Sequence, residues 1–401
     1  MPDQEPAFTG LRVIDLSSMM AGPHCGRLLA DQGADVIKVE SLSGDHMRNL
    51  RPRSRGQSRF FGQLNLGKRS IAVDLKSDHG LAAVRALVAE ADVVIEAWRP
   101  GVAAKLGLSW EDCRVLNDRL VYCSISGYGQ DGPDAGRAAF APVVHAASGY
   151  DMANLPYQPA GSPPPTTGVY IGDILGGTVA YGSILTALLR RATTGRGSRV
   201  EVSLVEAMMS VLVYELQAAY AGVADTRVSH PPLPTADGWV AVTIVNNATW
   251  RGMTQAMGQP ELVSDPRFVD IAARTEHWDE MQARMSAWSR TCSTAEAESA
   301  LLAAGVPVAR HRTPAELIED PHLVQRGTFP EVVDAAGAFH AIAAPFRLDD
   351  VVTPAVGTRV PELGEHTVEV LREVGGLSAD AIEDLIRIGV ARTPDRAEGA
   401  T

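Results

Sequence analysis

The chain has 401 residues, of which 45% are hydrophobic, so it is long enough for two domains and apolar enough for a full core. Its formal net charge of -12 argues against nucleic acid or an anionic membrane as a partner. The four cysteines show no CxxC spacing, and the N-terminus lacks a basic region followed by an apolar one. We therefore expect no metal site, no signal peptide and a reducing, cytoplasmic location.

The first part of the chain alternates between strand-like and helix-like patterns. Strands are predicted at residues 11–16, 34–39, 70–74, 93–96 and 120–125, and helices at 25–32, 80–90 and 110–117. Such alternation predicts an α/β fold with a doubly wound parallel sheet. No G-x-G-x-x-G follows the first strand, so a nicotinamide dinucleotide site is not supported.

Two long helices are predicted next, at residues 174–191 and 205–221, with a short strand at 199–203 between them. The run 170–189 approaches membrane-spanning length. It is interrupted by Asp173 and four glycines, which favours a buried helix of a soluble protein.

The remainder of the chain indicates a second domain. A proline-rich linker near residue 230 opens a smaller α+β region, and strand patterns return at Phe329. We therefore assign residues 1–225 and 329–401 to a large domain and residues 226–328 to a small one. Disorder is expected at 394–401.

One carboxylate lies in an apolar setting. Asp173 is the only acidic residue in the run Val169–Val179, V-Y-I-G-D-I-L-G-G-T-V. A buried carboxylate must be paired, hydrogen-bonded or neutralised, because a bare buried charge is costly. The local pattern leaves two interpretations open. Asp173 either caps a helix that begins near Ile174, or acts as an accessible nucleophile beside glycines that let a ligand approach.

Short motifs spread over nearly the whole chain carry a family resemblance. They include G-L-R-V-I-D-L-S-x-x-x-A-G-P at 10–23, G-A-D-V-I-K-V-E at 33–40, E-A-W-R-P-G at 96–101, G-Y-G-Q-D-G-P at 127–133 and G-D-x-x-G-G at 172–177. In number, order and spacing they resemble the family III CoA-transferases, a group that also contains the α-methylacyl-CoA racemases.

The resemblance implies an interlocked homodimer. Its large domain would be a Rossmann-like sheet built from both chain ends, and its small domain the middle insertion. The family's catalytic aspartate falls on Asp173, which favours the nucleophile. The implied reaction moves CoA from an acyl-CoA thioester to a carboxylic acid through an aspartyl anhydride and an aspartyl-CoA thioester. The thioester is then a substrate, and no permanently bound cofactor is implied. Backbone N–H groups near Gly176 and Gly177 are candidate oxyanion donors.

The resemblance also places contacts to CoA along the chain. They fall on Met19, Met20, Ala21, Val73, Lys76, Trp98, Lys105, Leu106 and Tyr128. The lysines would offset the phosphate charges of CoA within an acidic protein.

Several positions depart from the family pattern. Residue 41 is serine where some members carry a phosphate-binding arginine, and we expect Arg48 to compensate. Residue 126 is serine where the formyl-CoA transferases have lysine, which disfavours formyl-CoA:oxalate exchange. Asn246 and Asn247 are candidates for hydrogen-bonding a second carboxylate of a substrate such as succinyl-CoA.

Two alternatives to CoA transfer remain. A racemase needs two acid/base groups on opposite sides of the substrate. The position of its histidine is Phe140, and His145 is either a displaced base or a structural hydrogen-bonding residue. A CoA-binding protein without turnover would use Asp173 merely as a helix cap.

Overall fold

The computed structural model describes residues 5–223, 229–348 and 358–394. Fourteen strands lie in these ranges: β1 Arg12–Asp15, β2 Asp35–Glu40, β3 Arg53–Ser54, β4 Gln57–Ser58, β5 Arg69–Val73, β6 Val93–Glu96, β7 Val121–Ser126, β8 Ser198–Ser203, β9 Leu233–Pro234, β10 Trp239–Val242, β11 Val308–Arg310, β12 Glu331–Asp334, β13 Gly337–His340 and β14 Ala391–Arg392.

The same ranges hold eighteen α-helices. They are α1 Ala21–Asp31, α2 Arg59–Asn65, α3 Asp78–Ala89, α4 Val102–Lys105, α5 Trp110–Leu116, α6 Ala141–Ala147, α7 Tyr150–Asn154, α8 Ile171–Thr194, α9 Leu204–Met209, α10 Val213–Ala221, α11 Asn247–Ala256, α12 Ile271–Glu276, α13 Trp278–Ser289, α14 Thr294–Ala303, α15 Pro314–Ile318, α16 Pro321–Gln325, α17 Thr367–Glu373 and α18 Ala379–Arg387.

The chain forms two compact units. Unit 1 comprises residues 1–222 and 322–401, and unit 2 comprises residues 223–321. Both boundaries lie earlier than the sequence suggested. The larger difference is at the second boundary, because most of α16 groups with unit 1 rather than with the insertion. All but the first residue of the C-terminal segment expected to be disordered lies outside the described residues.

A seven-stranded sheet forms the centre of unit 1, in the order β14-β5-β2-β1-β6-β7-β8. Six strands run parallel, and β14 pairs antiparallel with β5. The predicted α/β architecture with a large parallel sheet is therefore confirmed. The chain builds the sheet outward from β1 in both directions, so the order reverses between β1 and β6. Ligands of such sheets bind at this switch point, beyond the carboxyl ends of the strands.

Side chains alternate between the two faces of this sheet. Ile14 packs with α3, α5, α17 and α18 in one apolar cluster, whereas Val13 packs with α1, α6, α8 and α9 in the other. The sheet is thus covered by helices on both faces, as a buried parallel sheet requires.

Two details of unit 1 differ from the sequence prediction. The helix predicted at 205–221 is broken into α9 and α10, because Ser210, Val211 and Leu212 donate backbone hydrogen bonds to residues three positions earlier. The strands that return after Phe329 form a separate hairpin, β12–β13, and do not join the central sheet.

Unit 2 has its own core. Its sheet is antiparallel, in the order β11-β10-β9. Trp250, Met253, Phe268 and Met281 are buried between this sheet and the helices α11 to α14. Unit 2 is therefore an α+β structure.

Helix α8 has 24 residues and, by length and composition alone, could cross a membrane. Ala180, Ile184 and Ala187 on its inner face pack in the cluster beneath the central sheet. Its other face is exposed, including Leu189, which is 72% exposed. This packing is that of a core helix with one uncovered side.

Candidate active site

Two neighbouring cavities lie at the carboxyl edge of the central sheet. The first, of about 340 Å³, is lined by the ends of β1, β2 and β5, and the second, of about 250 Å³, by residues that follow β1, β6 and β7. Ser18 and Trp98 line both. The second cavity lies at the switch point between β1 and β6, where parallel sheets bind ligands.

Asp173 lines the second cavity. It is the third residue of α8, whose N-cap is Tyr170, so the interpretation of Asp173 as a helix cap is wrong. Burial raises the pKa of its carboxyl to about 6, and no neighbouring charge contributes to the shift. The first turn of a helix favours an anion, which opposes but does not cancel this desolvation. The result is a partly dry carboxylate at the wall of a cavity, as nucleophilic catalysis requires.

His145 holds the start of α8 in place. Its Nε2 accepts a hydrogen bond from the Gly172 N–H at 3.1 Å, and its ring packs against Tyr150 at 5.7 Å. The side chain is buried and is absent from the lining of the Asp173 cavity. Because Nε2 accepts this bond, the lone pair that a base would use at this nitrogen is occupied. His145 is therefore a structural hydrogen-bonding residue in this geometry.

Gly176 and Gly177 lie one turn further along α8 and serve packing. A Cβ on Gly176 would lie 2.2 Å from Leu204 Cδ2, and a Cβ on Gly177 would lie 2.4 Å from the Ala21 carbonyl oxygen. The close approach at these glycines is made by the chain's own α1 and α9. Their role as oxyanion donors stays a prediction.

The loop after β1 is strained where it meets the cavity. Met19 adopts a φ of 67°, in the left-handed region that side chains other than glycine rarely occupy. Beneath it, Lys68 is fully buried and contacts Asp15 Oδ2 at 2.8 Å and the Pro23 carbonyl oxygen at 2.8 Å. This buried pair ties the end of β1 to the start of α1 and so fixes the intervening loop. Strain of this kind is characteristic of functional sites.

Comparison with known proteins identifies the family. The family described as CoA-transferase family III matches residues 8–367. The chain belongs to this family. It is 34% identical to the succinyl-CoA–D-citramalate CoA-transferase of Chloroflexus aurantiacus, over 95% of this chain and 97% of that protein. It is 33% identical to the succinate–glutarate CoA-transferase of Agrobacterium fabrum, over 93% and 97% of the two chains.

A solved structure agrees with this assignment. A CAIB/BAIF family protein from Brucella suis superposes with a TM-score of 0.81 at 31% identity, over 92% of this chain and 100% of that one. CoA-transferases use acyl-CoA as a substrate.

Most of the predicted CoA contacts line one of the two cavities. Val73, Lys76, Trp98 and Leu106 line the first cavity. The residues Met19, Met20, Ala21 and again Trp98 line the second, together with Asp173. Trp98 therefore stands where the two cavities meet.

Three predicted contacts lie elsewhere. Lys105 is exposed on α4, and Tyr128 packs beneath the guanidinium of Arg137 at 5.6 Å; neither lines the two cavities. Arg48 was expected to compensate for Ser41 at a phosphate. Arg48 binds both oxygens of Glu40, at 2.8 and 2.7 Å, and stacks 3.8 Å over the Phe61 ring, so its contact with a phosphate stays a prediction.

Asn246 and Asn247 also have structural partners. The Asn246 side chain caps α11 by accepting from the Thr249 N–H at 2.9 Å, and Asn247 Oδ1 accepts from Arg274 at 2.8 Å. Both bonds lie within unit 2. These two hydrogen bonds explain the presence of the asparagines without any role in binding a substrate.

Arg99, Arg137 and Ser126 line the Asp173 cavity, although the sequence assigned them no binding role. Arg99 and Arg137 are its cations, and Ser126 ends β7 with a buried hydroxyl that has no hydrogen-bond partner in the described part of the chain. Arg99 lies in the motif E-A-W-R-P-G and follows Trp98 directly, a signal that could have identified it. Arg137 lies in an irregular loop, and no local pattern marks it.

Proposed function

We propose that this protein transfers CoA from an acyl-CoA thioester to a carboxylic acid, with Asp173 as the covalent nucleophile. The observation that carries the proposal is a desolvated carboxylate at the wall of a cavity at the sheet's switch point. Membership of the CoA-transferase family supports the transfer itself.

Each step of the proposed reaction conserves the energy of the thioester. A carboxylate oxygen of Asp173 attacks the acyl carbonyl, a C–O bond forms, and the C–S bond breaks with its electron pair on the CoA thiolate. The thiolate then attacks the aspartyl carbonyl and releases the first acid, leaving an aspartyl-CoA thioester. The acceptor carboxylate repeats both steps in reverse. No net proton transfer is needed, so a single unprotonated carboxylate suffices.

The cavity does not favour racemisation. Of the described residues that line it, Asp173 is the one carboxylate, and none is a histidine. The position where a racemase would hold its histidine is Phe140, which lines the cavity with a side chain that has no acid/base group. Proton exchange at the α-carbon would lack its second base here.

We infer that the acids exchanged carry two carboxylates. Relatives covering nearly the full length are named for succinyl-CoA, D-citramalate, succinate and glutarate, and the free acids among these names are dicarboxylic. A cavity with two guanidinium groups and one carboxylate suits an anionic acyl chain better than a neutral one.

The protein is proposed to act as a cytoplasmic homodimer. Its described cysteines are all free, which suits a reducing compartment. Large apolar side chains are exposed along α7, α8 and α10, among them Met152, Leu189, Val213 and Tyr220. A second copy of the chain would remove this surface from water. We propose that the two copies interlock.

Trapping the intermediate tests the function. Incubation with succinyl-CoA followed by hydroxylamine or borohydride should modify Asp173, as identified by mass spectrometry of peptides. Asp173→Ala should lose CoA exchange while binding CoA as the wild type does, because the substitution removes the nucleophile and not the nucleotide cavity. Turnover retained by Asp173→Ala would refute the assignment. Deuterium entry at the α-carbon in D₂O without transfer to any acid would indicate a racemase instead.

A further inference from the structure

The residues that line the two cavities indicate how a bound acyl-CoA would be oriented. Val73, Lys76 and Leu106 line the first cavity and not the second, whereas Asp173 lines the second and not the first. With the nucleotide part of CoA in the first cavity, the pantetheine arm of CoA passes Ser18 and Trp98, which line both cavities. The thioester at the end of this arm then reaches Asp173. The rest of the second cavity then receives the acyl group.

The walls of that remaining part are mainly apolar. Ala135, Ala138, Ala139 and Phe140 form one side of it, from the loop that follows β7. Arg137 lies in the middle of this loop. The other guanidinium belongs to Arg99. This residue directly follows Trp98, so it lies near the place where the two cavities meet and the pantetheine arm of CoA would pass. With CoA placed in this way, Arg137 would be the cation on the acyl side of the nucleophile.

Contacts on two sides orient the Arg137 side chain. Its Nη1 donates to Asp134 Oδ2 at 2.9 Å, and its guanidinium lies 5.6 Å above the Tyr128 ring. The ion pair is exposed, with side-chain exposures of 63% and 53%, so it contributes little to stability. The guanidinium keeps unused donors, and its planar fork matches a carboxylate.

Resting on the proposed CoA transfer, we propose that Arg137 selects the substrate by binding the second, unreacted carboxylate of a dicarboxylic acid. The first carboxylate reacts at Asp173, and the distal one meets the guanidinium across the apolar wall. Arg137 is a specificity-determining residue in this scheme. A monocarboxylic acid would leave it paired with Asp134 alone and would gain nothing from it.

The test compares kcat/KM of glutarate and of its monomethyl ester as acceptors of CoA from succinyl-CoA, because this ratio does not depend on the donor half-reaction, in which succinyl-CoA presents its own free carboxylate. The two acceptors differ chiefly in the distal charge. Arg137→Gln should lower kcat/KM for glutarate roughly ten- to hundred-fold, the range for a lost hydrogen bond to a charged group, and leave kcat/KM for the ester unchanged. Arg137→Lys should give an intermediate loss, because lysine keeps the charge without the fork. Arg114→Gln, at an exposed arginine of α5 outside both cavities, is the matched control.

Other outcomes would overturn the proposal. Equal losses of kcat/KM for glutarate and its ester would show a structural role, and weaker calorimetric binding of free CoA to Arg137→Gln would place Arg137 on the nucleotide. An unchanged kcat/KM for glutarate would remove it from recognition. If the wild type transferred CoA to no acid, the proposed function would fail, but calorimetric titration of glutarate and the ester into the wild type and Arg137→Gln would still decide the binding role.

Discussion

At the scale of single residues, the site depends on one carboxylate whose charge is costly to bury. Asp173 is half-buried and has its pKa raised to about 6 by desolvation. A raised pKa keeps the carboxylate a better nucleophile than an exposed aspartate would be, while leaving most of it ionised at neutral pH.

A pH profile follows from this shift. Asp173 must be ionised to attack, so kcat/KM should fall as the pH drops through about 6, whereas an ordinary aspartate would hold activity down to about 4. Initial rates with succinyl-CoA between pH 5 and 8 would measure it. Circular dichroism at each pH would confirm that the protein stays folded. A flat profile between pH 5 and 7 would contradict the assigned pKa.

At the scale of elements, the placement of Asp173 depends on how closely α8 packs against α1 and α9. The adjacent glycines of α8 face different obstacles. Gly177 faces a backbone carbonyl oxygen, which cannot move alone, whereas Gly176 faces the end of the Leu204 side chain, which can rotate.

This difference predicts unequal costs for two neighbouring substitutions. Gly177→Ala should destabilise the fold by about 1–3 kcal/mol, because it forces α1 and α8 apart. Gly176→Ala should cost less, since Leu204 can repack. Thermal unfolding of the two variants gives the comparison, each serving as the control for the other. A larger loss of stability in Gly176→Ala would show that α1 shifts more easily than the Leu204 side chain repacks.

At the scale of the whole molecule, the uncovered apolar face predicts a dimer. We expect light scattering to give twice the chain mass of 42.6 kDa. Leu189→Glu, on the exposed face of α8, should weaken this association by placing a charge in an apolar contact. Val115→Glu, at a valine that is 80% exposed on the opposite helix layer, should leave the mass unchanged. A monomeric wild type would contradict the proposed dimer.

Local pattern and family motifs predicted much of the large unit. The strands around Ile14, Ile37, Ile71 and Val94 were recognisable because short apolar runs between helical stretches specify a buried parallel sheet without help from distant residues. Asp173 stood out for the same reason, as a charge in an apolar run.

What the sequence alone determined, then, was the family, the parallel sheet and the residue that carries the proposed chemistry, since each follows from neighbouring residues or ordered motifs. Only the tertiary structure decided which partner each polar group takes. Arg48 binds Glu40, and His145 holds the start of α8 from 27 positions earlier in the chain. Arg137 joins Asp173 in one cavity. Such pairings depend on how the layers pack, and no local spacing specifies them.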